Sequence, residues 1–261
     1  MCTRPVDFSI HCFGSFEVFA GERRLVLPRH RKTDALLEYL VLRRHQRVSR
    51  EVLMAMGWPE EGRESANNTL HTTISALRHQ LTAALPQPLE GSPLLIDDGH
   101  YYLNPGLSLQ VDVEDFDRLY RAGLALEREG RETEAQRAFE EGATLYRGDL
   151  YIDDLQDVSL VIERERLAFT HLSLLARLAD YALRRADHTA TIDYGFQILS
   201  RDPCREDGHV LLMRSFSRLG QRVQALRQYE LCRDLLKREL GIEPAPEILL
   251  LRDRIMQCED V

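Results

Sequence analysis

The sequence predicts a mainly α protein in two parts, a small N-terminal α+β unit followed by a longer all-α unit. Three observations predict this. Apolar and polar residues alternate between residues 8 and 27, the period-2 pattern of strands with one buried face. From Lys32 the apolar period lengthens to that of a helix and returns to strand spacing only near residues 94–103. From Asp112 onward strand patterning stops, and helical periods run on between glycine and proline punctuation.

Composition narrows the function classes. The 261 residues are 44% hydrophobic and 29% charged, enough to pack two ordinary domains and too apolar for wholesale disorder. No run approaches the roughly 18–20 apolar residues of a membrane span. The start, MCTRPVDFSIHCF, lacks a basic segment leading into an apolar one, so no secretory signal is expected. The five cysteines are scattered without a CxxC pair, which predicts free thiols in a reducing cytoplasm and no metal site. The formal net charge is −8, yet residues 1–105 carry 12 basic and 12 acidic residues. The whole excess is therefore C-terminal, and any contact with a polyanion belongs to the N-terminal part.

In the α+β part, Phe8, Ile10 and Cys12 share one parity, and Phe16 and Val18 resume it after Gly14. Ala20-Gly21-Glu22 reads as a turn before Leu25-Val26-Leu27, giving three short antiparallel strands. Leu36, Leu37, Leu40 and Val41 share one face of a first helix, with Arg43-Arg44 at its negative end. Ser49 opens a second helix as N-cap, with Glu51 in the first turn, Val52, Leu53 and Met56 inward, and Gly57-Trp58-Pro59 as its stop. After a polar loop, EEGRESA, Asn67 or Asn68 caps a third helix. Its apolar stripe is Leu70, Ile74, Leu77 and Leu81. Asp97-Asp98-Gly99-His100 between Leu94-Leu95-Ile96 and Tyr101-Tyr102-Leu103 predicts a hairpin, because glycine takes the positive φ of a tight turn.

In the all-α part, Asp112 with Asp115 suggests a capping-box-like start. Helices are expected at 115–129, 132–146, 158–185, 188–201, 205–219, 222–240 and 245–258, joined by short turns that make antiparallel hairpins. Residues 190–199 align with 224–233 at an offset of 34, the TPR spacing. Tyr146, Tyr181, Tyr194, Phe196, Phe216 and Tyr229 read as core, and Asp149, Asp153, Asp154 and Asp157 as a solvated loop without EF-hand spacing.

A helix can read the major groove only if one face packs behind it while the other presents polar groups. The third helix meets that condition: opposite its stripe lie Asn68, His71, Thr72, Ser75, Arg78 and His79. Three strands, three helices and a hairpin outline a winged helix-turn-helix.

Here the sequence resembles a known family. Arg31-Lys32, Leu36-Leu37, Tyr39-Leu40, Val48-Ser49-Arg50-Glu51, Leu53, Trp58-Pro59, Ala66 and LHTTISALRHQL resemble the OmpR-type winged helix of the Streptomyces antibiotic regulatory protein family. The stretches DVEDFDRL, LYRGDLYID, ERERL, DPCRED, LGQRVQALRQYE and LKRELGIEPAPEI resemble the bacterial transcriptional activation domain that accompanies it. The resemblance implies a winged helix-turn-helix in residues 1–107 and a TPR-like helical-hairpin domain in residues 108–261. It implies a DNA-binding transcriptional activator that binds promoter repeats as a homodimer and helps recruit RNA polymerase. It places the helix contacts at Asn68, Thr69, Thr72, Thr73, Ser75, Ala76 and Arg78. With the polar face and the nearby basic groups, the expected DNA-binding residues are Arg47, Arg50, Asn68, Thr69, His71, Thr72, Ser75 and Arg78, with Arg29 and Arg31 as further basic groups. Two positions depart from the family pattern. Ala76 stands where a base-reading arginine is frequent, and Asp98 precedes the wing glycine.

No Gly-rich phosphate loop, GxSxG or HExxH is present, so neither catalysis nor a cofactor is expected. The rival reading is a TPR-like interaction adaptor whose winged helix has weak or lost DNA binding.

Overall fold

A computed structural model of the chain describes residues 5–27, 30–150 and 158–259. Arg29, Asp153, Asp154 and Asp157 lie outside the described residues, as does the side chain of Arg31. The chain divides into two compact units, residues 1–118 with 145–168, and residues 119–144 with 169–261.

The first unit carries two sheets. β1 (Phe8–His11), β2 (Glu17–Ala20) and β3 (Arg23–Arg24) form an antiparallel meander. β7 (Leu109–Val111) adds to it in parallel, giving the order β3-β2-β1-β7. Phe8, Ile10, Cys12, Phe16 and Val18 are buried, as their alternation predicts. The third strand is earlier than expected. The turn at Gly21 (φ 60) is tight, so Arg23 and Arg24 face Ala20 and Phe19, and the apolar run falls after the pairing. Only Leu27 of that run is buried, and Val26 is exposed.

α1 (His30–Leu42) buries Leu36, Leu37, Leu40 and Val41. β4 (Val48–Ser49) leads into α2 (Arg50–Gly57), where the Ser49 hydroxyl accepts from Val52 N–H as an N-cap. Val52 is exposed rather than inward; Leu53, Met54 and Met56 face the core. α3 (Arg63–Ala84) starts about a turn before the expected asparagine caps. Buried Ala66 extends the packed stripe N-terminally, and that burial outweighs the capping preference of Asn67 and Asn68. β5 (Leu94–Asp97) and β6 (His100–Leu103) form the expected hairpin, and β4 pairs with β6 to complete a second sheet, β4-β6-β5.

Asp112 is the first residue of α4 (Asp112–Arg128), and its carboxylate reaches across the unit instead of serving as the expected local cap. Its buried carboxylate accepts from the N–H groups of Cys12 (2.8 Å) and Phe13 (3.2 Å) and from Arg147 (2.7 Å). Those two donors lie beyond the end of β1 and would otherwise be buried without partners. Burial pushes the Asp112 carboxyl above the ordinary carboxylate range, against the N–H donors and Arg147, which pull it down. Phe13 packs its ring against Phe116 and Tyr146, and it bridges to Leu150. The segment around Arg147 is thus part of the first unit.

The second unit is built from helix hairpins. α5 (Glu132–Leu145) packs on α4 at Gly123, where an added Cβ would stand 2.4 Å from Phe139 Cε1. α6 (Val158–Arg184) is tied to α4 by Glu127, which accepts from Arg177 and from the Tyr181 hydroxyl (2.9 Å). α7 (His188–Arg201), α8 (Glu206–Arg218), α9 (Arg222–Leu240) and α10 (Pro246–Met256) follow, each packed on the next. α7 and α9 begin 34 residues apart, so two successive helix pairs repeat with the TPR period. Met213, Ala225, Tyr229, Cys232, Leu236, Ile248, Leu251 and Ile255 form a core of the second pair. The helix bounds fall within three residues of those expected. Tyr181 and Tyr229 are core as expected, but Phe196 is 51% exposed. Its α7 neighbours Thr191, Gly195 and Ile198 hold the packed face instead.

Candidate DNA-binding site

α2, α3 and the β5–β6 hairpin have the arrangement of a helix-turn-helix with a wing. α2 packs on α3, and Arg63 at the start of α3 approaches Glu51 in the first turn of α2 at 3.8 Å. Leu70, Ile74, Leu77 and Leu81 are all buried, joined by Ala66 and Thr73. On the other side Asn68, His71, Thr72, Ser75 and His79 are exposed, and Thr69, Ala76 and Arg78 are half-buried. The helix therefore has the two faces that groove reading requires.

The chemistry of the exposed face is amide, hydroxyl, imidazole and methyl. Thr69 and Thr72 donate to the carbonyls of Ser65 (2.9 Å) and Asn68 (3.0 Å), one turn back. Their oxygens remain able to accept from a base amino group. The Asn68 amide can bond bidentately to adenine, and the Ala76 methyl can pack against a thymine methyl.

The three arginines sit in different surroundings. Arg78 donates from Nε to the carbonyl of Leu94 (2.8 Å), which ties α3 to the first wing strand. Arg50 heads α2; its backbone N–H donates to Gly99 O (3.0 Å) at the wing turn, and its Nε is buried with no hydrogen-bond partner among the described residues. Arg47 precedes β4 and reaches the wing, donating from Nη1 to Asp97 (2.5 Å) with its guanidinium 4.9 Å from the Tyr102 ring centre. At the wing tip Asp98 (φ 44) and Gly99 (φ 73) both have positive φ, as a type I′ hairpin turn requires. The structure thus brings Arg47 and Arg50 to the wing and Arg78 to its base. The remaining candidates lie along one face of α3.

The partners Leu94, Asp97 and Tyr102 do not show in the sequence. Arg47 and Asp97 are 50 residues apart, and only the β4–β6 and β5–β6 registers bring them together.

Comparison with known proteins fits this geometry. Residues 111–256 match the bacterial transcriptional activator domain, and residues 26–91 match the transcriptional regulatory protein C-terminal domain. The chain belongs to the bacterial transcriptional activator domain family; it is a DNA-binding transcriptional activator of the Streptomyces antibiotic regulatory protein type. It is 27% identical over 237 residues to the regulatory protein DnrI of Streptomyces peucetius, across 90% of this chain and 87% of that protein. It is 28% identical over 229 residues to the transcriptional regulatory protein MoaR1 of Mycobacterium tuberculosis, across 87% of this chain and 72% of that protein. A solved structure of Mycobacterium tuberculosis EmbR, in complex with a low affinity phosphopeptide, has the same fold: TM-score 0.76 at 23% identity, over 98% of this chain and 66% of that one.

Proposed function

We propose that the exposed face of α3 enters the major groove of promoter DNA. Asn68, Thr69, His71, Thr72 and Ser75 would meet base edges and adjacent backbone, while Arg47, Arg50 and Arg78 hold phosphates. The observation that carries this reading is the two-faced α3 set beside a hairpin wing, with its apolar stripe buried and its polar face open. We assign DNA binding to residues 1–107 and activation to residues 108–261. The segments 108–118, 145–150 and 158–168 group with the first part, so the functional and the packing divisions differ. The acidic balance of the helical half keeps it off the duplex and suits it to a protein partner, for which RNA polymerase is our assignment, acting from a homodimer on repeated half-sites. We further assign the protein to the cytoplasm and give it no catalytic role.

The test is selection of bound genomic fragments by the purified full chain, followed by footprinting at low salt. Discrete protected sites spaced by about one helical turn, roughly 10–11 base pairs, are expected. Failure to protect any discrete site would favour the adaptor reading, in which the winged helix serves only as an interaction module.

A further inference from the structure

Asp97 and Asp98 stand side by side on the wing, and by charge alone both oppose DNA. The structure gives them different surroundings. Asp98 occupies the turn; its carbonyl receives the His100 ring nitrogen (2.9 Å), while its carboxylate has no partner among the described residues. Asp97, at the end of β5, holds Nη1 of Arg47, and Tyr102 on β6 stacks under the same guanidinium. Tyr101 and Leu103 are buried, so Tyr102 lies on the outer face of the wing sheet.

We propose that Asp97 is a positioning residue that holds Arg47, against Tyr102, in the orientation in which it binds a DNA phosphate. This inference rests on the reading that the wing and α3 meet DNA. A free surface arginine loses rotamer freedom when it clamps a phosphate. Here two contacts from two different strands already fix the side chain. The Asp97 bond uses one of five N–H donors, and the side chain of Arg47 remains 58% exposed, so its other nitrogens stay within reach of an anion. The flat guanidinium suits both tasks, since it stacks on a ring and presents a second edge to an oxyanion.

The two neighbouring aspartates then answer the same substitution with opposite signs. Asp98→Asn, which keeps the turn because asparagine tolerates positive φ, should tighten binding by about two- to threefold, the effect of one unit charge facing a phosphate across about 7 Å of water. Asp97→Asn should weaken binding by about two- to fivefold, the cost of ordering one freed rotamer-rich side chain less the gain from removing one charge that faces phosphate, and make the salt slope shallower by about one unit if the phosphate contact is lost. In an Arg47→Ala background Asp97→Asn should instead tighten binding, because only its repulsion remains. Asp97→Glu should restore part of the loss.

The experiment is titration of the full chain on its selected DNA site at several salt concentrations, with thermal unfolding of each variant alongside. Weakening by Asp97→Asn at unchanged melting temperature, reversed in sign without Arg47, supports the clamp. Tightening by Asp97→Asn in the wild-type background would overturn it, since Asp97 would then repel DNA or sequester Arg47. No change would overturn it equally. If Asp97→Asn lowers the melting temperature, the sign in the Arg47→Ala background decides. A wild-type chain that binds no discrete site would overturn the underlying reading, and the clamp with it.

Discussion

Replacing Asp112 with alanine removes the acceptor on which the first unit closes. Its carboxylate is 4% exposed as a residue and takes the N–H groups of Cys12 and Phe13, which are themselves buried. Leaving two buried donors unsatisfied costs about 1–3 kcal/mol each. One effect reduces that sum and another adds little to it. Burial disfavours the ionised carboxylate, so its removal relieves a desolvation cost. Arg147 is 41% exposed in its side chain and can turn to water, so loss of that ion pair adds only about 0–1 kcal/mol. The net expectation is a loss of about 2–4 kcal/mol, or roughly 5–15 °C in melting temperature for a chain of this size. Asp112→Asn should lose about half as much, because one carbonyl oxygen can still accept from Cys12 while the amide nitrogen cannot accept from Phe13. Urea unfolding measures both variants. The pH dependence carries a sign. The folded-state carboxyl holds its proton more tightly than the unfolded one, so in wild type this group lowers stability as pH rises through the interval above its ordinary value of 3.8. Asp112→Asn should remove that component. A loss below about 0.5 kcal/mol in the alanine variant would refute the reasoning, since such a value is typical of an exposed site.

Arg78→Ala should weaken binding to all DNA sequences alike, with a salt slope shallower by about one unit, as read by titration at several salt concentrations. Gly123→Ala places a methyl 2.4 Å from Phe139 Cε1 and should destabilise the helical unit by about 1–3 kcal/mol in urea unfolding, without changing the footprint on DNA. His209 is buried with Nε2–H donating to Pro203 O (2.9 Å), which leaves Nδ1 to accept from Gln228 (2.6 Å). Burial lowers its pKa below 6.5, so the unfolded chain gains a proton first and the stability contributed by this group is lost as pH falls below about 6.5. Denaturant unfolding between pH 7 and 5 should show that slope in wild type and a flatter one in His209→Asn.

Much of the fold is legible where order is local. The apolar stripe of α3, the Asp-Gly turn of the wing and the seven C-terminal helices follow from spacing and punctuation within a few turns of chain. What the sequence conceals is long-range. β7 pairs with a strand about a hundred residues earlier, and Asp112 satisfies donors 99 and 100 residues away, which makes a local capping role the natural but mistaken reading. The start of α3 is concealed because tertiary burial of Ala66 prevails over asparagine caps. In the candidate site the face of α3 is legible from its period. The tethering of Arg47 to Asp97 and Tyr102, and of Arg78 to Leu94, emerges only when the wing strands are paired.

The reading of α3 as the base-contacting helix is tested most directly by comparing sequences selected by wild type and by Asn68→Ala. A side chain that reads one base edge should relax preference at one or two adjacent positions of each half-site, at a cost of about 1–3 kcal/mol there, and leave the other positions unchanged. An Asn68→Ala variant that keeps every preference, or that loses affinity uniformly across all sequences, would contradict it.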